Sequence, residues 1–508
     1  MANKIDSNVT GLRYAEESSI KTLPGSPVWR PLEPNGYSDF GGQISATARN
    51  PINPSRQRKK GVTSDLDASG GFSQDLTQTG LTRLFQGFFF ADIREKLTTA
   101  PTNGSAITIT GVTASTDTYA AASGLSGFLA GDLVLASGFA QSANNGLKQV
   151  ASSTSGTVVV GDGLADETPP AAAKLQKVGF QFGTAEVDVD VSGSYPRLVR
   201  ASGTKDLTTF GLIPGEWVFI GGDGAATKFS NANNNGFARV RAVAATYIEL
   251  DKTSATMANE TGTGKTLRLF FGNVLKNEAD PALIKRRTYQ LERTLGQDSN
   301  GTMSEYLVGA VPNELSLQIR SADKVVADMQ FLASDFEQRD GSVGVKSGTR
   351  PALVDAPAFN TSSDFSRIKM HSVVDGNANP SALFAFMTEL TVTINNEVSP
   401  NKAVGVLGAF DMTAGSFVGG GSVTAYFADI AAVQAVRNNA DVTLDFAMVK
   451  NNAGMVWDIP LIALGNGRLS VQPNQAITLP LTLDAAVGSN DHTLLFNEFP
   501  YLPSAADV

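Results

Sequence analysis

The chain is 508 residues long, 42% hydrophobic and 18% charged, with 50 glycines and a formal net charge of -9, a loop-rich globular composition with room for roughly three to four domains. It has no cysteine and only two histidines, His371 and His492, which excludes disulfides, zinc ribbons and thiol catalysis and leaves almost nothing for metal ligation or imidazole acid–base chemistry. The moderate acidity opposes general phosphate binding and suits a surface that repels nucleic acid.

The N-terminal stretch MANKIDSNVTGLRYAEESS has no basic end followed by an apolar run, and no segment reaches the ~18 consecutive apolar residues of a membrane span. A soluble protein made in a cytoplasm is expected. GGFSQDLT then leads into a helical pattern, with Leu81, Leu84, Phe85 and Phe88 at i, i+3, i+4 and i+7. From about residue 100 to 275 the text becomes rich in Gly, Ala, Ser, Thr and Asn and repeats itself. AGDLVLASG (130–138) returns as PGEWVFIGG (214–222), NNGLKQV (144–150) as NNGFARV (234–240), and the apolar runs Val158–Val160 and Tyr247–Leu250 follow each. This stretch reads as two related small β domains.

Charged, alternating text resumes with RTYQLERTL, EYLVGAV, ELSLQIR and VVADMQFLA, four expected strands. Later come TELTVTI and GSVTAYF, a short helix over DIAAVQAVRNN, a hairpin over VTLDFAMV-KNNAG-MVWDIPLI, and two further strands, GRLSVQP and AITLPLTL. The chain is therefore β-rich, with sheets apolar on one face and polar on the other, each accompanied by a helix.

The near-identical FFADI (89–93) and YFADI (426–430) raise the question of a larger duplication, although one ends a helix and the other precedes one. Better support comes from residues 50–68 against 396–414, where Asn50, Pro54, Asp65 and Ala68 meet Asn396, Pro400, Asp411 and Ala414 without a gap. LSLQIRSADKVVADMQ (315–330) then lies beside LSVQPNQAITLPLTLD (469–484) at a much smaller separation. The first copy thus carries about 190 more residues than the second, the length of the repetitive stretch.

Several motifs point elsewhere. GTGKT (262–266) suggests a phosphate loop, but Asn259 stands where the first glycine is needed, which leaves a polar turn before LRLFFG. EVDVDVSG places Glu186, Asp188 and Asp190 on one strand face without the glycine and distal glutamate of a calcium loop, so a solvated face is expected. His371 and His492 lack a nucleophile motif and read as ordinary surface residues.

The strand order in RTYQLERTLG…EYLVGAVPNELSLQIRSADKVVADMQFLASD, and in GSVTAYFADIAAVQAV…VTLDFAMV…WDIPLIALGNGRLSVQPNQAITLPLTLDA, resembles the major tail tube proteins of long-tailed, siphophage-like bacteriophages, with the tube domain duplicated. The resemblance implies a mainly β fold, a sandwich or barrel with a flanking helix in each of two tandem tube domains, plus two small inserted β domains. The implied division is an N-terminal arm (1–36), a discontinuous first tube domain (37–98 and 273–345), inserted domains at 99–182 and 183–272, a linker (346–384), a second tube domain (385–485) and a C-terminal tail (486–508).

It further implies a non-enzymatic structural subunit of the virion tail, made in the host bacterial cytoplasm, with no catalytic, cofactor or metal site and no membrane insertion. Its partners would be copies of itself in stacked rings, trimeric and pseudo-hexameric, with tape-measure protein and genomic DNA in the lumen and terminator and tip proteins at the tube ends. Within such a tube the basic run Arg56, Arg58, Lys59 and Lys60 is expected at a hairpin tip meeting an acidic surface of a neighbouring subunit. The insert is expected to project outwards. The competing reading is a multidomain adhesin or a virion surface, receptor-binding protein.

Overall fold

The computed structural model describes residues 5–507 apart from 53, 79 and 162. The chain begins with β1 (Gly11–Glu16), β2 (Arg30–Leu32), the long β3 (Pro34–Arg49) and β4 (Lys59–Asp75), then helix α1 (Thr82–Phe89). Six strands follow in the first repeat of the insert: β5 (Ile109–Thr113), β6 (Thr118–Ala121), β7 (Asp132–Ser137), β8 (Gly146–Ser153), β9 (Thr157–Val160) and β10 (Lys174–Gln181). Six more form the second: β11 (Val187–Asp190), β12 (Arg197–Arg200), β13 (Trp217–Ile220), β14 (Gly236–Ala244), β15 (Tyr247–Thr253) and β16 (Arg268–Phe271). After them come β17 (Asn273–Lys276), β18 (Tyr289–Asp298), β19 (Gly301–Arg320), β20 (Val326–Ala333), β21 (Asp335–Arg339) and β22 (Phe365–Ser372). The last part holds β23 (Met387–Asn395), β24 (Ser399–Lys402), β25 (Ala409–Thr413), β26 (Val418–Tyr426), α2 (Ala431–Arg437), β27 (Val442–Lys450), β28 (Ala453–Asn466), β29 (Thr478–Ala486) and β30 (Leu495–Phe499). The fold is mainly β, built from large antiparallel sheets.

These elements form two compact units, one from Met1–Ala91, Asp280–Thr361 and Met387–Thr424, the other from Asp92–Ala279, Ser362–Phe386 and Ala425–Val508. In the first unit the strand order is β3-β4-β20-β19-β18-β1-β2. The 16- and 17-residue strands β3 and β4 make a hairpin that runs on beyond the β4–β20 pairing, which covers only Ala68–Asp75. Helix α1 covers the sheet with Leu84, Phe85 and Phe88 fully buried, and Phe88 meets Phe331 edge-on at 5.4 Å. Its Gly87 is required by closeness: a Cβ there would lie 2.7 Å from Tyr289 Oη and 2.8 Å from Pro312 Cγ.

EYLVGAV and ELSLQIR, expected as two strands, are one 20-residue strand, β19. Pro312 does not end it, because the β19–β20 register shifts between Pro312 and Glu314, and a bulge tolerates the missing N–H. The second half of β19 pairs with β20 on one edge and with β23 on the other, from Glu314 opposite Asn395 to Arg320 opposite Glu389.

In the second unit the insert forms one sheet in the order β11-β12-β15-β14-β13-β16-β10-β7-β8-β9-β6-β5. The order is the same for both repeats read outwards from the β10–β16 seam, where Phe180 faces Leu269. Side chains repeat as well. Asn144 donates to Ala165 O (2.9 Å) and Glu167 (2.7 Å) and accepts from Ala165 N–H, while Asn234 donates to Ala258 O (3.0 Å) and Glu260 (2.8 Å) and accepts from Ala258 N–H. The doubled NNG motif is therefore a loop lock used twice.

The rest of this unit is built on β27 and β28, with β22 beside β27, β29 and β30 beside β28, and β17 beyond β30. The insert is packed onto it: Trp217, Phe219, Phe237 and Phe270 share one buried cluster with Val449, Val456, Leu495 and Phe499. GRLSVQP, expected as a strand, is a loop held among the described residues by an isolated bridge between Ser470 and Thr478 and by Gly467 N–H donating to Pro480 O at 3.3 Å.

Corresponding hydrogen bonds recur in each unit. Leu76 N–H donates to Val325 O (2.9 Å) and Phe427 N–H to Ile477 O (3.0 Å). Ala91 N–H closes the end of α1 on Gln86 O (3.2 Å), as Ala440 N–H closes α2 on Ala435 O (2.9 Å). Gln318 pairs with Val326 where Ser470 bridges Thr478, and Asp298 with Gly301 where Lys450 pairs with Ala453. These equivalences move the first sequence alignment by five residues at Leu76 and by three at the helix end, and the second by two. The two-residue slip preserves which side chains share a face.

Candidate assembly surfaces

The basic residues lie at the end of the β3–β4 hairpin. Arg56, Arg58, Lys59 and Lys60 are all exposed, Lys59 pairs with Arg49 across the hairpin, and Arg56 adopts φ 59°. Residues 43–49 are exposed throughout, so the arm extends about 20 Å beyond the sheet at ~3.4 Å per residue. Among the described residues β3 pairs only with β4.

A second hairpin, β24–β25, lies in the same unit with a different tip: Val404, Val406, Leu407 and Phe410 are exposed. Its Lys402 bridges Asp65 and Asp67 on the long arm, and Arg286 holds Asp411 at 3.1 Å. The hydrogen bond from Lys402 holds the Asp65 carboxyl below the ordinary aspartate range against a small opposing effect of desolvation.

In the second unit a charged cluster sits between the insert and β22, β27 and β28. Arg239 reaches Asp458 at 2.8 Å and Asp251 at 2.8 Å, and Lys252 reaches Asp458 at 2.7 Å and Asp445 at 3.5 Å. Arg367 pairs with Asp445 and lies 5.1 Å from the centre of the Trp217 ring. Asp445 and Asp458 are fully buried. Burial alone would raise both carboxyls, but Arg367 and Lys252 around Asp445, and Lys252 and Arg239 around Asp458, outweigh it and keep both ionised.

The motifs that pointed elsewhere do not converge. GTGKT is a turn whose Gly262 N–H is held by Asp188 Oδ1 at 2.7 Å. Glu186 instead accepts from Gly183 N–H and Asp190 from Ser192 N–H, so the three carboxylates close three separate turns. Among the described residues no group of three or more His, Asp or Glu side chains could hold a metal ion.

The histidines are buried, contrary to their expected surface positions: His371 is 4% and His492 1% exposed. His371 lies in β22 against β27, and His492 fills the space over Gly215. Each Nδ1 meets a backbone carbonyl at 3.0 Å, Ser372 O and Asn490 O, while each Nε2 has no hydrogen-bond partner among the described residues. Burial, aided by nearby Lys252 for His371, pulls both down to about 4. A cavity of about 390 Å³ beside β13 and β14 has, among the described residues, Lys228 as its one charged lining side chain. No helix among the described residues is long and apolar enough to cross a membrane.

The family model described as "Phage tail tube protein" matches residues 7–485. The chain belongs to the phage tail tube protein family. It is thus a structural component of the virion tail that assembles with itself into a tube, and the family is one of structural proteins rather than enzymes. No curated protein matches the chain. Sequence periodicity missed the charged cluster, because its members come from positions 239 to 458 and meet only in the folded unit.

Proposed function

We propose that three copies of this chain close a pseudo-sixfold ring, each supplying two tube domains (37–98 with 273–345, and 385–485), and that stacked rings form the conduit for DNA ejection. The observation that carries this reading is the β19–β23 pairing, in which a strand of the first repeat accepts the edge of a strand from the second. An edge contact of this kind, continued from chain to chain, gives a head-to-tail interface that closes when the rotation permits.

Genomic DNA and a tape-measure protein would occupy the lumen, with terminator and tip proteins at the tube ends. An acidic chain suits that role, since a basic wall would bind phosphates through counterion release. The inserted domains (99–182 and 183–272) lie outside the lumen in this reading, and Arg56, Arg58, Lys59 and Lys60 contact an acidic surface on a neighbouring subunit or ring. Negative-stain electron microscopy of the purified chain at rising concentration tests the proposal. Hollow rings or tubes with threefold symmetry support it, and solid or sixfold-identical particles contradict it.

A further inference from the structure

We infer that the edge at residues 466–472 of one chain accepts β3 of a second copy, repeating between chains the β19–β23 seam found within one. The inference rests on the ring reading above and names the strands that join its subunits.

The argument begins with two segments of similar text and opposite environments. In β19, Leu315, Leu317 and Ile319 are at most 6% exposed, with β20 on one edge and β23 on the other. The matched turns, Gln318 with Val326 and Ser470 with Thr478, make Leu469 the counterpart of Leu317 and Val471 that of Ile319. These two are 37% and 66% exposed, and beyond Asn466, which ends the β28–β29 ladder opposite Leu481, the described residues of the segment are held only by Gly467 N–H on Pro480 O and by the Ser470–Thr478 bridge. The strand pattern is present in the sequence, but among the described residues no strand lies along the second edge. Without that partner, alternating apolar side chains have nothing to cover them, and the segment stays a loop.

The missing partner can be named from the same repeat. β23 occupies the place in the second repeat that β3 holds in the first: Pro34 pairs with Gln74, and Phe386 O accepts from Tyr426 N–H, each just before the equivalent bonds of Leu76 and Phe427. β23 spends its outer edge on β19, whereas β3, among the described residues, pairs only with β4 and exposes Ile44 at 63%. Each chain therefore has one acceptor edge and one donor edge left over, of the types already joined once in β19–β23. The offset from Leu76 to Phe427 sets Ile44 in the place of Asn395, and that from Gln318 to Ser470 sets Asn466 in the place of Glu314, so Asn466 falls opposite Ile44 as Glu314 falls opposite Asn395.

The chain has no cysteine, so engineered thiols report directly. Full-length chains carrying Ile44→Cys are mixed with chains carrying Asn466→Cys, Arg468→Cys or Ser470→Cys, allowed to assemble, and oxidised. Directly opposed strand residues have the Cα spacing a disulfide needs. A product of two chain masses, strongest for the 44–466 combination, is the expected result. Rings that form with no such product from any of the three combinations overturn the seam while leaving the ring reading standing. Absence of rings under every condition, including with unsubstituted chain, overturns both. A second variant, Val471→Asp, is exposed in the free chain and should leave its melting temperature unchanged while raising the concentration needed for assembly at least about tenfold. Unchanged assembly by that variant also counts against the seam.

Discussion

Asp458→Asn removes one negative charge shared by two buried cations. Arg239 and Lys252 lie 2.8 and 2.7 Å from the carboxylate, and the side chains are 0% exposed for Asp458, 2% for Lys252 and 8% for Arg239. The substitution leaves Arg239 with Asp251 and Lys252 with Asp445 at 3.5 Å and the Thr443 hydroxyl, so compensation is partial. Breaking a buried pair from one side costs about 3–5 kcal/mol, because the remaining charge has lost its solvation and its partner. For a unit of this size that corresponds to a drop of roughly 6–15 °C in melting temperature. Differential scanning calorimetry of the full chain should show the loss in one transition, that of the unit containing the insert. Glu389→Gln, which breaks an exposed pair with Arg320 (43% and 57% exposed), serves as the comparison and should cost less than about 1 kcal/mol. A shift below about 2 °C for Asp458→Asn would refute the argument that this cluster fastens the insert.

Further outcomes follow from the same structure. Because the folded values of His371 and His492 lie near 4, below the ordinary 6.5, the unfolded chain binds protons first as pH falls. Stability should be flat above about pH 6.5 and drop by up to about 3 kcal/mol per histidine between there and pH 4, measured as denaturant midpoints. His492→Asn should flatten part of that slope. Replacing Arg56, Arg58, Lys59 and Lys60 by glutamine should leave the melting temperature within about 1 °C, since all four are exposed. The same change should weaken assembly and reduce its salt dependence in light scattering; unaltered salt dependence would remove these residues from the interface. Asn144→Ala and Asn234→Ala each delete three hydrogen bonds of the same lock and should each cost about 2–3 kcal/mol in chemical denaturation. Strongly unequal losses would show that the two repeats do not use the lock alike.

Much of this fold is legible in the sequence because local patterns and local structure agree. The i, i+3, i+4, i+7 spacing of Leu81, Leu84, Phe85 and Phe88 marks α1, and KNNAG marks the turn between β27 and β28. The doubled NNG motif marks the two halves of the insert because its asparagines do the same work twice. What sequence reading missed depends on distant packing. VTLDFAMV alternates like a strand with one wet face, which would put Asp445 in solvent, yet eight of the nine residues of β27 are buried. Its second face is covered by the insert, whose Lys252 and the neighbouring Arg367 supply the compensating charge. The histidines were misplaced for the same reason.

GRLSVQP is the opposite case, a strand pattern without a strand. Its text matches ELSLQIR, but pairing needs a second edge, and ELSLQIR has β23 while GRLSVQP has none among the described residues. The basic run Arg56, Arg58, Lys59 and Lys60 is exposed, as charge density and turn residues lead one to expect. Its acidic counterpart could not be read, because it would belong to another molecule.

Counting the chains in one ring tests the central claim most directly. Mass measurement of isolated rings, released from tubes by dilution, should give three chain masses, with each chain contributing two tube domains to a pseudo-sixfold wall. Rings of six chains would contradict the account, because each chain would then act as a single repeat unit and the pairing of β19 with β23 could not stand in for a subunit junction.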